Sequence, residues 1–132
     1  MSAYAETKTS FKEKSLLVKA LQELGFEPLV SEEAQRLEGY RGDKREDTAE
    51  VIIPRRQVGR MSNDIGFKRQ ADGTFKAIIS DYDSSRYDEK WLNRVKVGYT
   101  TAGTMLQAQK MGLRLVGKEK KNGKVQLKFL QA

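Results

Sequence analysis

"NDIGFKRQADGTFKAII", residues Asn63–Ile79, decides how this chain is read. Two short stretches with apolar residues at alternate positions flank Asp72-Gly73, the pattern of a half-buried β-hairpin. A two-residue turn at Asp72-Gly73 would set Phe67 opposite Ile78 and Phe75 opposite Gln70, splitting the large apolar residues between both faces. A three-residue loop, Ala71-Asp72-Gly73 with Gly73 left-handed in a bulge, sets Phe67 opposite Ala77, Ile65 opposite Ile79 and Arg69 opposite Phe75. That register puts Ile65, Phe67, Phe75, Ala77 and Ile79 on one face and Lys68, Gln70, Thr74 and Lys76 on the other. Burying one face selects register, so the three-residue loop is preferred.

Outward from the hairpin, the flanking segments take the same grammar. Ser2–Thr9 alternates Ala3, Ala5 and Thr7 against Tyr4, Glu6 and Lys8, a first strand. Ser10 and Glu13 have the spacing of a capping box, and Leu17, Ala20, Leu21 and Leu24 follow on one helical face. Gly25 closes that helix and places Phe26 to pack back on Leu21. Phe26–Val30 reads as a short strand, with Pro28 marking an edge position. The charged run Ser31–Asp47 reads mainly as exposed connection. Thr48–Ile53 is a strand with Ala49, Val51 and Ile53 on one side, ended by Pro54, and Arg55–Asn63 is a basic loop.

After the hairpin, Ser85 with Asp88 signals a second helix start. A long stripe follows through Trp91, Leu92, Val95, Tyr99, Ala102 and Leu106, with Met105 less regular. Gly98 and Gly103, beside Thr100 and Thr101, weaken its middle and leave a bend or break open there. Gly112 closes the helix. Leu113–Leu130 is a final hairpin: a Lys121-Asn122-Gly123 loop sets Leu115 opposite Phe129 and Gly117 opposite Leu127, and a two-residue turn fits nearly as well. The expected fold is α+β, an antiparallel sheet with two main helices packed on one face, in a single domain over residues 1–132.

Composition narrows the chemistry. The 132 residues include no cysteine and no histidine, which removes disulfides, thiolate catalysis, cysteine zinc sites and every histidine base or ligand. Net charge is +7, attractive to anionic partners and also sufficient reason for solubility. The longest apolar run, Val51-Ile52-Ile53, is far below the ~20 residues of a membrane span. "MSAYAETKTSF" lacks the basic and apolar segments of a signal peptide, so a cytoplasmic location is expected.

Few residues suggest a site. Asp81, Asp83 and Ser85 begin like a calcium loop, but Arg86 stands where the turn glycine belongs and Leu92 where the bidentate glutamate belongs. A magnesium site would draw on Asp88 or Glu89. The plainer reading, a turn whose acids favour a helix N-terminus, is preferred. Asn63-Asp64 reads as turn-forming, and Arg41-Gly42-Asp43 as exposed loop. Basic residues gather in two places: Arg55, Arg56, Arg60, Lys68, Arg69 and Lys76, and then Lys118, Lys120, Lys121, Lys124 and Lys128. Of these, Arg55, Arg56, Arg60, Lys68, Lys120, Lys121 and Lys124 are the candidate nucleic-acid contacts. Lysine also guards edge strands against aggregation, which accounts for it without any ligand. No metal or cofactor is expected.

The order of "SAYAETKTSF", "LVKALQELGFEP", "YRGD", "AEVII", "NDIGFKRQADGTFKAIISDYD", "GYTTAG" and "GLRLVGKEKKNGKVQLKFL" resembles the uncharacterised conserved reading-frame proteins of red-algal plastids and cyanobacteria. They carry a domain of unknown function that also occurs in bacteria and phages. Ser31–Asp47 and Arg55–Arg60 look longer than is usual there. The resemblance implies a small accessory protein with no catalytic residues to carry over, a plastid stroma or phage-host cytoplasm as other compartments, and a protein partner, an AAA-type ATPase among the candidates. The expected function is therefore a non-enzymatic adaptor that binds protein. The alternatives are a basic nucleic-acid-binding module and a carboxylate enzyme using Asp81, Asp83 and Asp88. Open edge strands leave room for a homodimer.

Overall fold

The computed structural model describes residues 3–131. Its strands and helices follow in the order β1 (Tyr4–Lys8), α1 (Lys14–Glu23), β2 (Leu29–Glu38), β3 (Lys44–Ile53), α2 (Arg55–Val58), β4 (Ile65–Arg69), β5 (Phe75–Ser80), α3 (Glu89–Lys110), β6 (Leu113–Lys121) and β7 (Lys124–Gln131). The fold is α+β. Five strands form an antiparallel sheet in the order β1-β5-β4-β3-β2, and β6 and β7 form a separate two-stranded ribbon.

The β4–β5 hairpin takes the expected register, with Phe67 opposite Ala77 and Arg69 opposite Phe75. Gly73 is left-handed (φ +88°), and its N–H donates to Gln70 O at 3.0 Å across the three-residue loop. Ile65, Phe67, Phe75, Ala77 and Ile79 all enter the main core, where Leu17, Ala20 and Leu21 of α1 and Trp91 and Val95 of α3 cover them. Trp91 is the centre of an aromatic group, 5.0 Å from Tyr87, 6.0 Å edge-on from Phe26 and 6.4 Å from Phe67 between ring centroids. Phe26 reaches that group from the α1 closure, where its N–H donates to Leu21 O at 3.0 Å and Gly25 is left-handed.

The sheet's other face is also partly covered. Leu37, Ala49, Ile52 and Ile78 form a second buried cluster, with Tyr4 packed against it. Ala49 thus leaves the side it was expected to share with Val51 and Ile53, which lie in the main core. The charged run Ser31–Asp47 is not a connection: most of it is the β2–β3 hairpin, and β3 begins at Lys44. Register shifts mark irregularities in both strands: between Val30 and Gln35 the extra residues lie in β2, and between Arg36 and Glu38 they lie in β3. They break the alternation that sequence reading relies on and curl the ribbon over the sheet. A Cβ on Gly66 would sit 2.8 Å from Ala49 Cβ and 3.0 Å from a Leu37 methyl, so this close approach requires glycine.

Further expectations are corrected. The Ser10–Glu13 capping box does not form: α1 starts at Lys14, and its N-cap Glu13 makes no side-chain bond. Thr9 and Phe11 are instead tied to Phe75, and the Tyr99 hydroxyl of α3 accepts the N–H groups of Lys12 (3.0 Å) and Glu13 (2.9 Å). The second helix starts at Glu89, with Asp88 rather than Ser85 as its cap, accepting Trp91 N–H at 3.0 Å. It runs unbroken through Gly98 and Gly103. Gly98 lies where a Cβ would come 3.2 Å from Ala20 Cβ, so it lets the two helices approach. Because α3 has 22 residues against ten in α1, its last turns outrun their helical partner; there Leu106 is exposed, whereas Ala108 is buried. Within the basic loop, Arg55–Val58 is helical, and the Gln57 amide pins it to Glu27 through two hydrogen bonds of 2.8 and 3.0 Å. Strand β1 is shorter than expected, and Ser2 of the expected span lies outside the described residues.

The last hairpin uses the two-residue turn. Lys121 faces Lys124, with Asn122 (φ +50°) and Gly123 (φ +74°) both left-handed, as a type I′ turn requires. A bulge at Val116 restores Leu115 opposite Phe129, so Gly117 faces Lys128 and Lys118 faces Leu127.

Candidate functional site

Three places on the molecule hold chemistry. The first is a buried polar knot where β4, β5 and the β5–α3 turn meet. Asp83 is fully buried. Its carboxylate accepts the Ser62 hydroxyl at 2.5 Å and the Ser80 hydroxyl at 2.8 Å, with Arg86 Nη2 at 3.5 Å. Asp64 accepts Glu38 N–H and Arg55 N–H, each at 2.7 Å, on its two carboxylate oxygens. Asn63 Oδ1 accepts Tyr40 N–H at 2.9 Å, and the Tyr4 hydroxyl donates to Asp64 O at 2.7 Å. Burial pushes the Asp64 carboxyl up despite those two N–H groups, and burial beside Asp64 raises the Tyr4 phenol as well. Tyr87, whose hydroxyl donates to Val58 O, is raised by burial too. Every oxygen of Asp64 and Asp83 is thus turned to chain donors, so the knot fastens β2, α2 and the β5–α3 turn to the sheet.

This arrangement decides the acidic cluster. Asp81 is exposed while Asp83 is spent on two serines and an arginine, so the two carboxylates do not form a ligand set. Among the described residues, no three Asp or Glu side chains are grouped to hold a metal ion. Composition alone does not separate Asp83 from Asp81; only the burial of Ser62 and Ser80 does so.

The second place is a groove of about 850 Å³ between β1 and the start of α3. Ala5, Phe11, Ile79 and Leu92 give it an apolar floor, and Thr7, Thr9 and Ser84 give it hydroxyls. Among the described residues strand β1 pairs only with β5, so its far edge is open. Asp81 N–H donates to Ala3 O at 2.9 Å, and the alternation of an antiparallel ladder then turns the N–H and C=O groups of Tyr4, Glu6 and Lys8 outward.

The third is the basic surface. The seven candidate cations do not form one patch. Arg55 is engaged internally, donating to Tyr40 O at 3.2 Å with Nε 3.9 Å from Glu38 Oε1, and Lys68 Nζ donates to the Thr48 hydroxyl at 2.6 Å. Arg56 and Arg60 are exposed at α2. Lys120, Lys121 and Lys124 come together at the tip of the β6–β7 ribbon. Register also brings out a row that spacing did not show: Lys68, Lys76 and Lys8 stand directly opposite one another on β4, β5 and β1, and Glu6 pairs with Lys76 at 2.5 Å.

These features define a class: a small α+β domain whose buried acids are bonded to the chain's own donors and which carries an open sheet edge and a basic two-stranded ribbon. The chain belongs to the family described as "Protein of unknown function (DUF1257)", whose model matches residues 20–127. No curated protein and no solved structure matches the chain. No helix among the described residues is long and apolar enough to cross a membrane.

Proposed function

We propose that this protein is a non-enzymatic adaptor that holds an extended segment of a partner protein as a sixth strand on β1. The open β1 edge beside the groove carries the reading. An added strand would take main-chain hydrogen bonds from Tyr4, Glu6 and Lys8 and lay alternate side chains into the groove. The two sheet edges differ in a way that favours β1. The β2 edge is interrupted by a bulge between Val30 and Gln35 and preceded by Pro28, devices that block strand addition. The register of β1 is unbroken, and Ala5, Glu6, Thr7 and Lys8 are exposed on both its faces. The buried acids support a binding role, since Asp64 and Asp83 are occupied by the chain's own donors.

An AAA-type ATPase, the class to which the family resemblance points, is the partner to test by calorimetry. Glu6→Pro removes one outward N–H and leaves the inner ladder to β5 whole, because proline is tolerated on an edge. It should abolish binding, while Glu6→Gln should retain it. Equal affinity for the wild type and Glu6→Pro would refute strand addition on β1.

A further inference from the structure

We propose that the β6–β7 ribbon is a duplex-DNA contact that enters the major groove with its outward face. The ribbon carries six basic side chains (Arg114, Lys118, Lys120, Lys121, Lys124 and Lys128) against one acid, Glu119. The register sorts them. Val125, Leu127 and Phe129 share the side that meets Val97, Thr100, Thr101 and Thr104 of α3 across a shallow cleft of about 390 Å³. The opposite side therefore presents Arg114, Lys121, Lys124 and Lys128 together with Gln126, and with them Glu119 across from Gln126 and Leu130 across from Arg114. Gly117 faces Lys128 on that side, and a Cβ there would meet the Lys128 stem at 3.6 Å, so the lysine lies across an otherwise bare stretch of β6.

The ribbon's build suits a groove. None of its described side chains is buried, and β6 and β7 pack on α3. Two strands about 4.8 Å apart with side chains on both faces are the width that the ~12 Å major groove of B-form DNA admits. Its eight or nine residues per strand extend roughly 27–30 Å, enough to follow the groove past several base pairs. Lysines and arginine would neutralise the flanking phosphates, and Gln126 is a side chain able to pair with the edge of adenine. The deep, narrow major groove of duplex RNA excludes such a ribbon, so the form of nucleic acid matters. This surface shares no residue with the β1 edge, so the two proposals stand or fall separately.

The test is fluorescence anisotropy of the full chain with one labelled sequence as duplex DNA, single-stranded DNA and duplex RNA, each over a salt series, with polyglutamate as the competing polyanion. Duplex DNA should bind tightest. Its slope of log affinity against log salt should lie near −3.6 for four neutralised phosphates. Lys121→Gln, Lys124→Gln and Lys128→Gln together should reduce that slope by roughly 2.7. Arg56→Gln with Arg60→Gln should leave it unchanged. Circular dichroism of each variant checks that the ribbon change has left the body folded. Preference for single strands or duplex RNA, displacement by polyglutamate at equal charge, or a slope untouched by the ribbon variant would each overturn the proposal.

Discussion

The chain contains two hairpins written in nearly the same alternating code, and they end in opposite situations. The β4–β5 hairpin has Phe67, Phe75 and Ala77 completely buried, because α1 and α3 lie over it and the β2–β3 ribbon curls over its back. In the β6–β7 ribbon, Val125, Leu127 and Phe129 alternate just as cleanly, yet none is buried, because the α3 face they meet offers Val97 and three threonines across an open cleft. Alternation specifies that two strands pair and which side is apolar. How much of that side is removed from water depends on what the rest of the chain brings to it. The first hairpin contributes its apolar face to the core; the second is folded while facing solvent.

The largest effect separates the two apolar faces. Phe67→Ala should cost about 3–5 kcal/mol of stability through the cavity it leaves, whereas Leu127→Ala should cost less than about 1 kcal/mol, because its neighbourhood is already open. Urea denaturation of both variants checks this, and comparable losses would show that the ribbon is part of the core.

A second contrast uses one glycine from each hairpin. Gly66→Ala forces a methyl against Ala49 Cβ and Leu37 and should destabilise by about 1–3 kcal/mol. Gly117→Ala meets only the Lys128 stem at ordinary contact distance and should be neutral or slightly stabilising. Thermal melts of the pair read the difference directly.

The smallest effect concerns the loop of the buried hairpin. Asp72 Oδ1 accepts the Thr74 hydroxyl at 2.6 Å and its N–H at 2.9 Å, and these bonds hold the carboxyl below its ordinary value. A lowered folded-state pKa favours the ionised form on folding. Its contribution is therefore present above the unfolded value of about 3.9 and is lost as pH falls through the folded value. The melting temperature of Asp72→Asn should lie slightly below the wild type at neutral pH, and the two should converge in acid. A constant gap across that range would assign the loop's stability to Gly73 alone.

Both helices, the register of β4 with β5 and the closing glycines were legible because each rests on local periodicity or on a backbone angle that few residues accept. The β2–β3 hairpin was not legible. Glu32, Glu33, Arg36, Glu38 and Lys44 look like solvated loop, and the one deeply buried residue of β2, Leu37, falls after a bulge that breaks the count. The Ser10–Glu13 capping box was a sound local signal that a distant group displaced: the Tyr99 hydroxyl, 86 residues on, serves the same end of α1. The basic residues were read as two groups. The structure divides the ribbon group between two faces, Lys118 and Lys120 on one and Lys121, Lys124 and Lys128 on the other, and draws Arg55 and Lys68 into internal bonds.

The sequence by itself determined the two long helices, the β4–β5 and β6–β7 hairpins with the apolar side of each, and that histidine and cysteine chemistry is absent. Those properties follow from side-chain period, turn residues and composition. Tertiary structure alone decided that Asp83 is a buried fastener while Asp81 is exposed, that β1 is an open edge beside a groove, and that the last hairpin stands apart from the sheet. Each depends on which segments meet in space, and neither spacing nor composition carries the distance between residues that touch only after the chain has folded.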